Sequence, residues 1–564
     1  MRSGRLLRIA AGAVLVLGLV LPVLAGLGQS LAAAFGHFPA LGARGPDLSA
    51  WRALLAEPGL ARAAALSLWT GLAATLLSLG VALGAVAALQ GGPGLGRAGR
   101  MLAPVLAAPH AAMAIGLAFV LAPSGWIARG LAPLLGWDRP PDVATVGDPL
   151  GLALILGLAV KELPFLLAMA VAGLGQIPVA AHMAAGRSLG YGRAAIWLRI
   201  LLPQLWPLIR LPVLVVLAFS VSVVDMAQIL GPSTPPTLSV LVARLFSDPD
   251  PRAILPASAG GIMQLVLTGV AAALVLGGAR LAGLRTRAAL RRGRRMAGAD
   301  RALGLPLALL AGLAGLAALA LAAILLWSVT FAWRWPDPFP ARLSAGAWQD
   351  AGRWGATALG TLGIAAACAA MALAAAVAWL EGADRLGRPQ GDRWMTAALY
   401  LPLLLPQLSF LIGLAGMTLS LPLPPLAAVI WGHWLFVLPY VFIALAGPWR
   451  ALDPRLARSA AALGAGPARR LWRVKLPVLA APLALAAAIG FAVSVAQYLP
   501  TLLLGGGRIA TLTTEAVALA SGADRRVAAV HAVLQAALPW AGFLAALSLP
   551  ALLHRNRRAL RGAA

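Results

Sequence analysis

The chain has 564 residues, 61% of them hydrophobic and 11% charged, with a net charge of +27. Apolar runs of about 20 residues recur along its whole length, and no stretch is long and polar enough to form a separate soluble domain. These features exclude a soluble multidomain enzyme, and continuous apolar blocks in place of ten-residue alternation exclude a β-barrel. The expected class is an all-α integral membrane protein. The basic excess does not mark a nucleic-acid binder, because the arginines gather in short loops between apolar runs, where they set topology. The single cysteine, Cys368, lies in an apolar run, which rules out disulfides within the chain and cysteine metal sites.

In chain order, 1–8 carries three arginines and precedes the apolar run 9–28. That run is longer than a signal-peptide core, so it reads as a retained first span with the N-terminus in the cytoplasm. Further spans are expected at 64–90, 101–123, 149–172, 205–230 and 259–283. The densest basic run, RTRAALRRGRRMAGADR at 285–301, follows. A second set of spans is expected at 303–329, 354–380, 394–420, 424–447, 476–499 and 531–553, before the basic end HRNRRALRG. With twelve spans and both termini inside, about two thirds of the 45 lysines and arginines fall in cytoplasmic segments. The opposite loops are richer in acid, with Asp138, Asp142 and Asp148 in one and Asp248 and Asp250 in another. Trp333, Trp335 and Trp354 are expected at the outer interface.

The two sets of spans repeat one pattern. Pro109 to Leu117 (PHAAMAIGL) matches Pro406 to Leu414 (PQLSFLIGL), and Leu163-Pro164-Phe165 matches Leu438-Pro439-Tyr440. Phe219 to Ser222 (FSVS) matches Phe491 to Ser494 (FAVS). Between the last two matches, 184–203 (AAGRSLGYGRAAIWLRILLP) returns as 458–477 (RSAAALGAGPARRLWRVKLP). Six spans per unit is an even number, so the repeats are parallel, related by an axis along the membrane normal. The expected layout is a first half 1–284, a basic cytoplasmic linker 285–301 and a second half 302–564.

The repeated loop resembles the EAA loop of binding-protein-dependent ABC importer permeases, whose pattern is EAA, three residues, Gly, nine residues, Ile, any residue, Leu-Pro. Gly190, Ile200, Leu202 and Pro203 fit it at the right spacing, as do Gly464, Val474, Leu476 and Pro477. The EAA positions themselves are Ala184, Ala185 and Gly186 in one copy and Arg458, Ser459 and Ala460 in the other, so the family's Glu is absent from both. The duplication makes the chain similar to the fused double permeases of the ferric-iron and thiamine type. The resemblance implies a type I permease fold, two ABC ATPase subunits docked one on each loop, and a periplasmic or extracellular solute-binding protein. It also implies a bacterial inner-membrane location and a small solute, thiamine-like or ferric iron. The residues fit such a loop. Gly190 and Gly464 allow a sharp turn between short helices, and Pro203 and Pro477 suit helix starts. Arg187, Arg193, Arg199, Arg469, Arg470 and Arg473 present charge to a soluble partner or to lipid headgroups.

The chain has only two lysines, Lys161 and Lys475, neither in a GxxxxGK[ST] context, so ATP has to be bound by a partner and no cofactor is expected here. Lys161 and Glu162 fall near the middle of the fourth expected span, where ionisable groups are costly and commonly functional. They either face a translocation path or satisfy neighbours around Pro164. Asp225, with Ser222, stands near the outer end of the fifth span, and Ser494, Gln497 and Tyr498 occupy the matching place in the second half. These are the candidate path residues, although Asp225 also suits a helix break before Gly231-Pro232. His110, His182, His433 and His531 lack metal-ligand spacing, and Gly505-Gly506-Gly507 reads as a flexible outer loop. The expected activity is alternating access in a permease that is not itself an enzyme. An ion-coupled secondary transporter is the alternative, and it leaves the paired loops without a purpose. A membrane enzyme would need a cluster of catalytic groups that the sequence does not display.

Overall fold

The computed structural model describes residues 2–293, 296, 298–387, 393–418, 423–522 and 524–553. The basic C-terminal end expected at 554–562 and part of the linker 285–301 lie outside the described residues. Among the described residues, ten helices are long and apolar enough to cross a membrane, and two bent helix pairs bring the number to twelve. The twelve fall where the sequence places spans. The breaks within them are the main differences. The expected third span, 101–123, is cut into Gly94–Ala107 and His110–Leu121, and the expected fifth, 205–230, into Leu202–Ser222 and Asp225–Leu230. In lipid every exposed backbone group needs a partner, so such breaks must be repaired by side chains.

The chain forms two compact units. One comprises 33–349 with 519–530, and the other 1–32, 350–518 and 531–564. Contacts therefore group the chain differently from its order along the sequence. The first span, running from Arg2–Leu15 through a π turn to Leu21–Ala34, belongs mostly with the second set of spans. The seventh span, Gly304–Ser328, belongs with the first set. Two repeated glycines receive these helices. A Cβ on Gly116 would overlap the Ala320 carbonyl oxygen, and one on Gly413 would overlap that of Gly26. Gly413 N also donates to Ser30 Oγ at 2.9 Å. The repeated motif that ends in Ile-Gly-Leu thus marks the place where one helix backbone lies directly on another.

In the unit 33–349 the fourth span, Leu152–Leu174, is the most enclosed, with 72% of its most apolar stretch buried. The tenth, Pro425–Ala451, holds the same place in the other unit at 67%, against 28% for the seventh span. Asp148 caps the fourth span, its carboxylate accepting from Leu152 N at 2.8 Å and Ala153 N at 3.0 Å. Apolar side chains such as Val266, Val270, Leu274 and Leu359 stay exposed on long apolar helices, as a lipid-facing surface requires.

Candidate functional site

The repeated loops are helical hairpins of one design. In the first, helix Val179–Ser188 ends at a turn where Gly190 has φ +77°, and a short helix, Arg193–Ile196, follows. Gly190 N donates to Arg187 O at 2.9 Å and Tyr191 N to Gly186 O at 3.0 Å, the paired bonds of a left-handed glycine stop. In the second, helix Pro454–Ala462 ends at Gly464 with φ +80°, and Pro467–Arg470 follows. Here Gly464 N donates to Ala461 O at 3.0 Å and Ala465 N to Ala460 O at 2.9 Å. The expectation that these glycines turn the chain between short helices agrees with this geometry.

Pro203 and Pro477 stand in the first turns of helices Leu202–Ser222 and Leu476–Val478, in agreement with the expected helix starts, but neither helix begins from a loop. Each follows a π turn, Trp197–Leu201 or Leu471–Lys475, within chain that is helical on both sides. Leu202 N donates to Trp197 O and Leu476 N to Leu471 O, one residue further back than in an α-helix. The widened turn accommodates Pro203 and Pro477, which have no N–H for the ordinary ladder. In the first hairpin the helix then runs on into Leu202–Ser222. In the second it bends by 78° between 467–478 and 480–495. Pro482 cannot bond to the Val478 carbonyl at that bend, although Pro207 and Pro212 lie in the first helix without such a break.

The two hairpins are anchored by different chemistry. The Asp300 carboxylate, from the linker, accepts from Arg193 N at 3.1 Å and Ala194 N at 2.8 Å and caps the short helix. Arg193 donates from Nε to Ala87 O at 2.6 Å and from Nη2 to Gln90 O, and Trp197 Nε1 donates to Gln90 Oε1 at 2.7 Å. Both partner residues, Ala87 and Gln90, lie at the end of the second span, Leu60–Leu89, or just beyond it. In the second hairpin the buried Lys475 ammonium donates to Glu381 Oε2 and Asp384 Oδ2, both at 2.6 Å. Arg385 also bonds Glu381, and Trp449 Nε1 donates to Asp384 at 3.0 Å. Those acids stand at the end of the eighth span, Ala351–Arg385.

Of the EAA positions, Ala184 and Ala185 are exposed, whereas Gly186 is buried where a Cβ would meet Ile196 Cγ1 at 2.6 Å. Arg458 and Ser459 are exposed and Ala460 half-buried, as are Ile200, Leu202, Val474, Leu476 and Pro477; Pro203 is exposed. The expectation that all six arginines offer charge outward needs correction. Arg193 is spent on Ala87 and Gln90, and Arg199 is buried, so only Arg187 of the first loop is exposed. In the second loop Arg469 and Arg473 are exposed and Arg470 is half-buried.

The candidate path residues are brought together only in part. Lys161 donates to Val105 O at 3.1 Å and Leu106 O at 2.9 Å, closing the end of helix Gly94–Ala107, so its ammonium satisfies a neighbour. Glu162 pairs with His110 Nε2 at 3.0 Å, and the His110 ring lies 4.5 Å from that of Phe219. Sequence reading had no signal for that pairing, since His110 and Glu162 belong to different spans. Asp225 is buried in the first turn after the break in the fifth span. Ser222 bonds back to Ala218 O at 2.6 Å, whereas Ser494 meets His433 Nδ1 at 2.9 Å, and His433 Nε2 reaches Thr501 Oγ1 at 2.8 Å. Gln497 is buried and Tyr498 half-buried in the break between Ala480–Val495 and Leu499–Gly505. Among the described residues, no group of three or more His, Cys, Asp or Glu side chains could hold a metal ion.

No family model matches the chain, and no solved structure matches it. It is 34% identical over 499 residues to the inner membrane ABC transporter permease protein YnjC of Escherichia coli (strain K12), covering 87% of this chain and 89% of that protein.

Proposed function

Because the chain belongs to the ABC transporter permeases, we propose that it is the pore-forming subunit of an importer whose ATPase subunits dock on its two hairpins. The observation that carries this reading is the duplicated hairpin. Both copies share a left-handed glycine stop, a short second helix and a π turn before Leu-Pro. A membrane chain has no internal need for two matched hairpins that each expose their first helix and glycine turn, and a pair of soluble engine subunits supplies one. The repeats 1–284 and 302–564, joined by the basic linker 285–301, would each offer one coupling hairpin on the cytoplasmic side, with both termini there too. A solute-binding protein would deliver a small solute to the outer face. Lys161, Glu162, Ser222, Asp225, Ser494, Gln497 and Tyr498 are the residues proposed for the path, which opens by alternating access. Lys161 is the member whose observed bonds suit a structural duty best.

The test uses Gly190→Leu and Gly464→Leu in the full chain expressed with its cognate ATPase. A side chain at these positive φ angles strains each stop, so co-purification of the ATPase is expected to fall for both variants. Undiminished association in both would overturn the docking assignment. Solute uptake into vesicles that lack any ATPase would favour ion-coupled transport instead.

A further inference from the structure

The fifth and eleventh spans are both broken, and at each break a hydroxyl from the next helix caps a carbonyl while a buried glutamine bonds beside it. A break leaves carbonyls of the ending helix without amide partners, which side chains must then supply in an apolar surrounding. In one unit, Gln264 Nε2 of the sixth span, Ile254–Arg291, donates to Val221 O at 3.0 Å. Ser239 Oγ of the preceding helix, Leu238–Phe246, donates to Val223 O at 2.7 Å. In the other unit, Thr513 Oγ1 of helix Leu512–Ala520 donates to Val495 O at 2.5 Å. Gln535 Nε2 of the last span, Arg525–Leu553, donates to Thr513 Oγ1 at 2.6 Å. The helices that bring Ser239 and Thr513 are themselves tied alike: Leu238 N donates to Ser67 Oγ and Leu512 N to Thr361 Oγ1, both at 2.9 Å.

Gln264 and Gln535 are each 0% exposed, and each leaves Oε1 without a partner among the described residues. Turning the amides over would not help. Val221 O can only accept, and Thr513 Oγ1 has committed its proton to Val495 O, so in both cases the nitrogen must face the break. A buried acceptor without a partner is rare because it is costly. Methionine would fill similar space without that cost. The same unpaired atom at matching places in two repeats therefore asks for a use. A side chain bonded at one end and free at the other suits a joint with two arrangements, since its bond can be exchanged without unwinding a helix.

We infer that Gln264 and Gln535 are positioning residues of the transport path, each latching a broken span in this conformation, Gln264 directly on Val221 O and Gln535 through the Thr513 hydroxyl on Val495 O. When the break rearranges, the free Oε1 accepts from a donor brought to it. The inference rests on the alternating-access reading, and the latched spans carry Ser222, Asp225, Ser494, Gln497 and Tyr498.

The experiment starts from Cys368→Ala, which removes the only thiol. Ser222→Cys or Ser494→Cys then reports on each break in the full chain, assembled with its cognate ATPase in lipid vesicles. The labelling rate by a small water-soluble maleimide is measured with and without ATP and vanadate. In chains with both glutamines, nucleotide is expected to change the rate. Gln264→Met and Gln535→Met are expected to shrink that change by roughly tenfold while ATPase co-purification is kept, as loss of a differential contact between two states requires. A full nucleotide response in both methionine variants, accompanied only by a change in thermal stability, would overturn the latch and leave the permease reading intact. No response in the chains with both glutamines would overturn alternating access, and the latch with it. Should the methionine variants not assemble, Ser239→Ala and Thr513→Ala loosen the same joints from the neighbouring helix and are read by the same outcomes.

Discussion

In the first hairpin the short helix is capped by Asp300 and strapped through Arg193 and Trp197 to Ala87 and Gln90. In the second, Pro467 begins the short helix without such a cap, and attachment comes from Lys475 on Glu381 and Asp384. No residue of Pro454–Ala462 or Pro467–Arg470 is buried, whereas Ala194, Ala195 and Ile196 of the first copy are. The backbone of the loop has thus been kept while its attachment has diverged. A turn needs a glycine and a proline at fixed spacing, because few residues reach the left-handed region or omit an N–H. Attachment needs only some bond to the end of the neighbouring span, and a neutral network serves as well as an ionic one.

The largest effect that would sharpen this contrast is expected from Lys475→Met. It leaves Glu381 with Arg385 alone and Asp384 with Trp449 alone, a loss of about 2–3 kcal/mol, below the usual cost of a fully broken buried pair because Arg385 still compensates the carboxylate. The melting temperature in detergent should drop markedly, and hydrogen exchange should rise over 467–479 while staying unchanged over 193–203. Equal protection in both hairpins would break the comparison. Gly464→Leu should cost about 1–2 kcal/mol, as a left-handed angle imposes on a side chain. Nothing lies within 4 Å of the added Cβ, so the cost is in the backbone alone and Gly464→Asn should recover part of it, read again from the melting curve. Asp300→Ala removes the cap of the first hairpin, at about 1 kcal/mol. Exchange should accelerate over 193–196 and not over 467–470; a uniform change would mean the linker holds more than one hairpin. The smallest effect on stability, within about 0.5 kcal/mol, is expected for Arg458→Glu on the exposed face. Because it inverts charge at the proposed docking surface, it should weaken co-purification with the cognate ATPase without moving the melting temperature.

Much of the site was legible before any coordinates. Leu189-Gly190 and Leu463-Gly464 announce a turn because only glycine takes that angle freely, and Lys475 stood out as one of two lysines. The partners of these residues were not legible. Asp300 lies in a run read only for its arginines, and Gln90 looks like any residue after an apolar span. Glu381 and Asp384 show an acidic face three residues apart, which a search for a mate for Lys475 could have found. Gln264 and Gln535 carried the weakest signal, a single amide in a long apolar helix. Glu162 stood out by its place in mid-span, but its pairing with His110 gave no signal, since nothing in linear order links the start of one helix to the middle of another.

Hydropathy and the doubled motifs by themselves determined that this is a multi-pass helical membrane protein with two matched hairpins, and the resemblance carried by those hairpins pointed to the permeases. Those properties are local: lipid demands long apolar helices, and a left-handed turn demands glycine. Only the tertiary structure decided that the first span packs mostly with the second set of helices and the seventh with the first. It alone determined which acid holds which hairpin and where the broken spans are stitched. Those outcomes depend on contacts between residues far apart in the chain, and an apolar helix surface looks much the same whichever neighbour it meets.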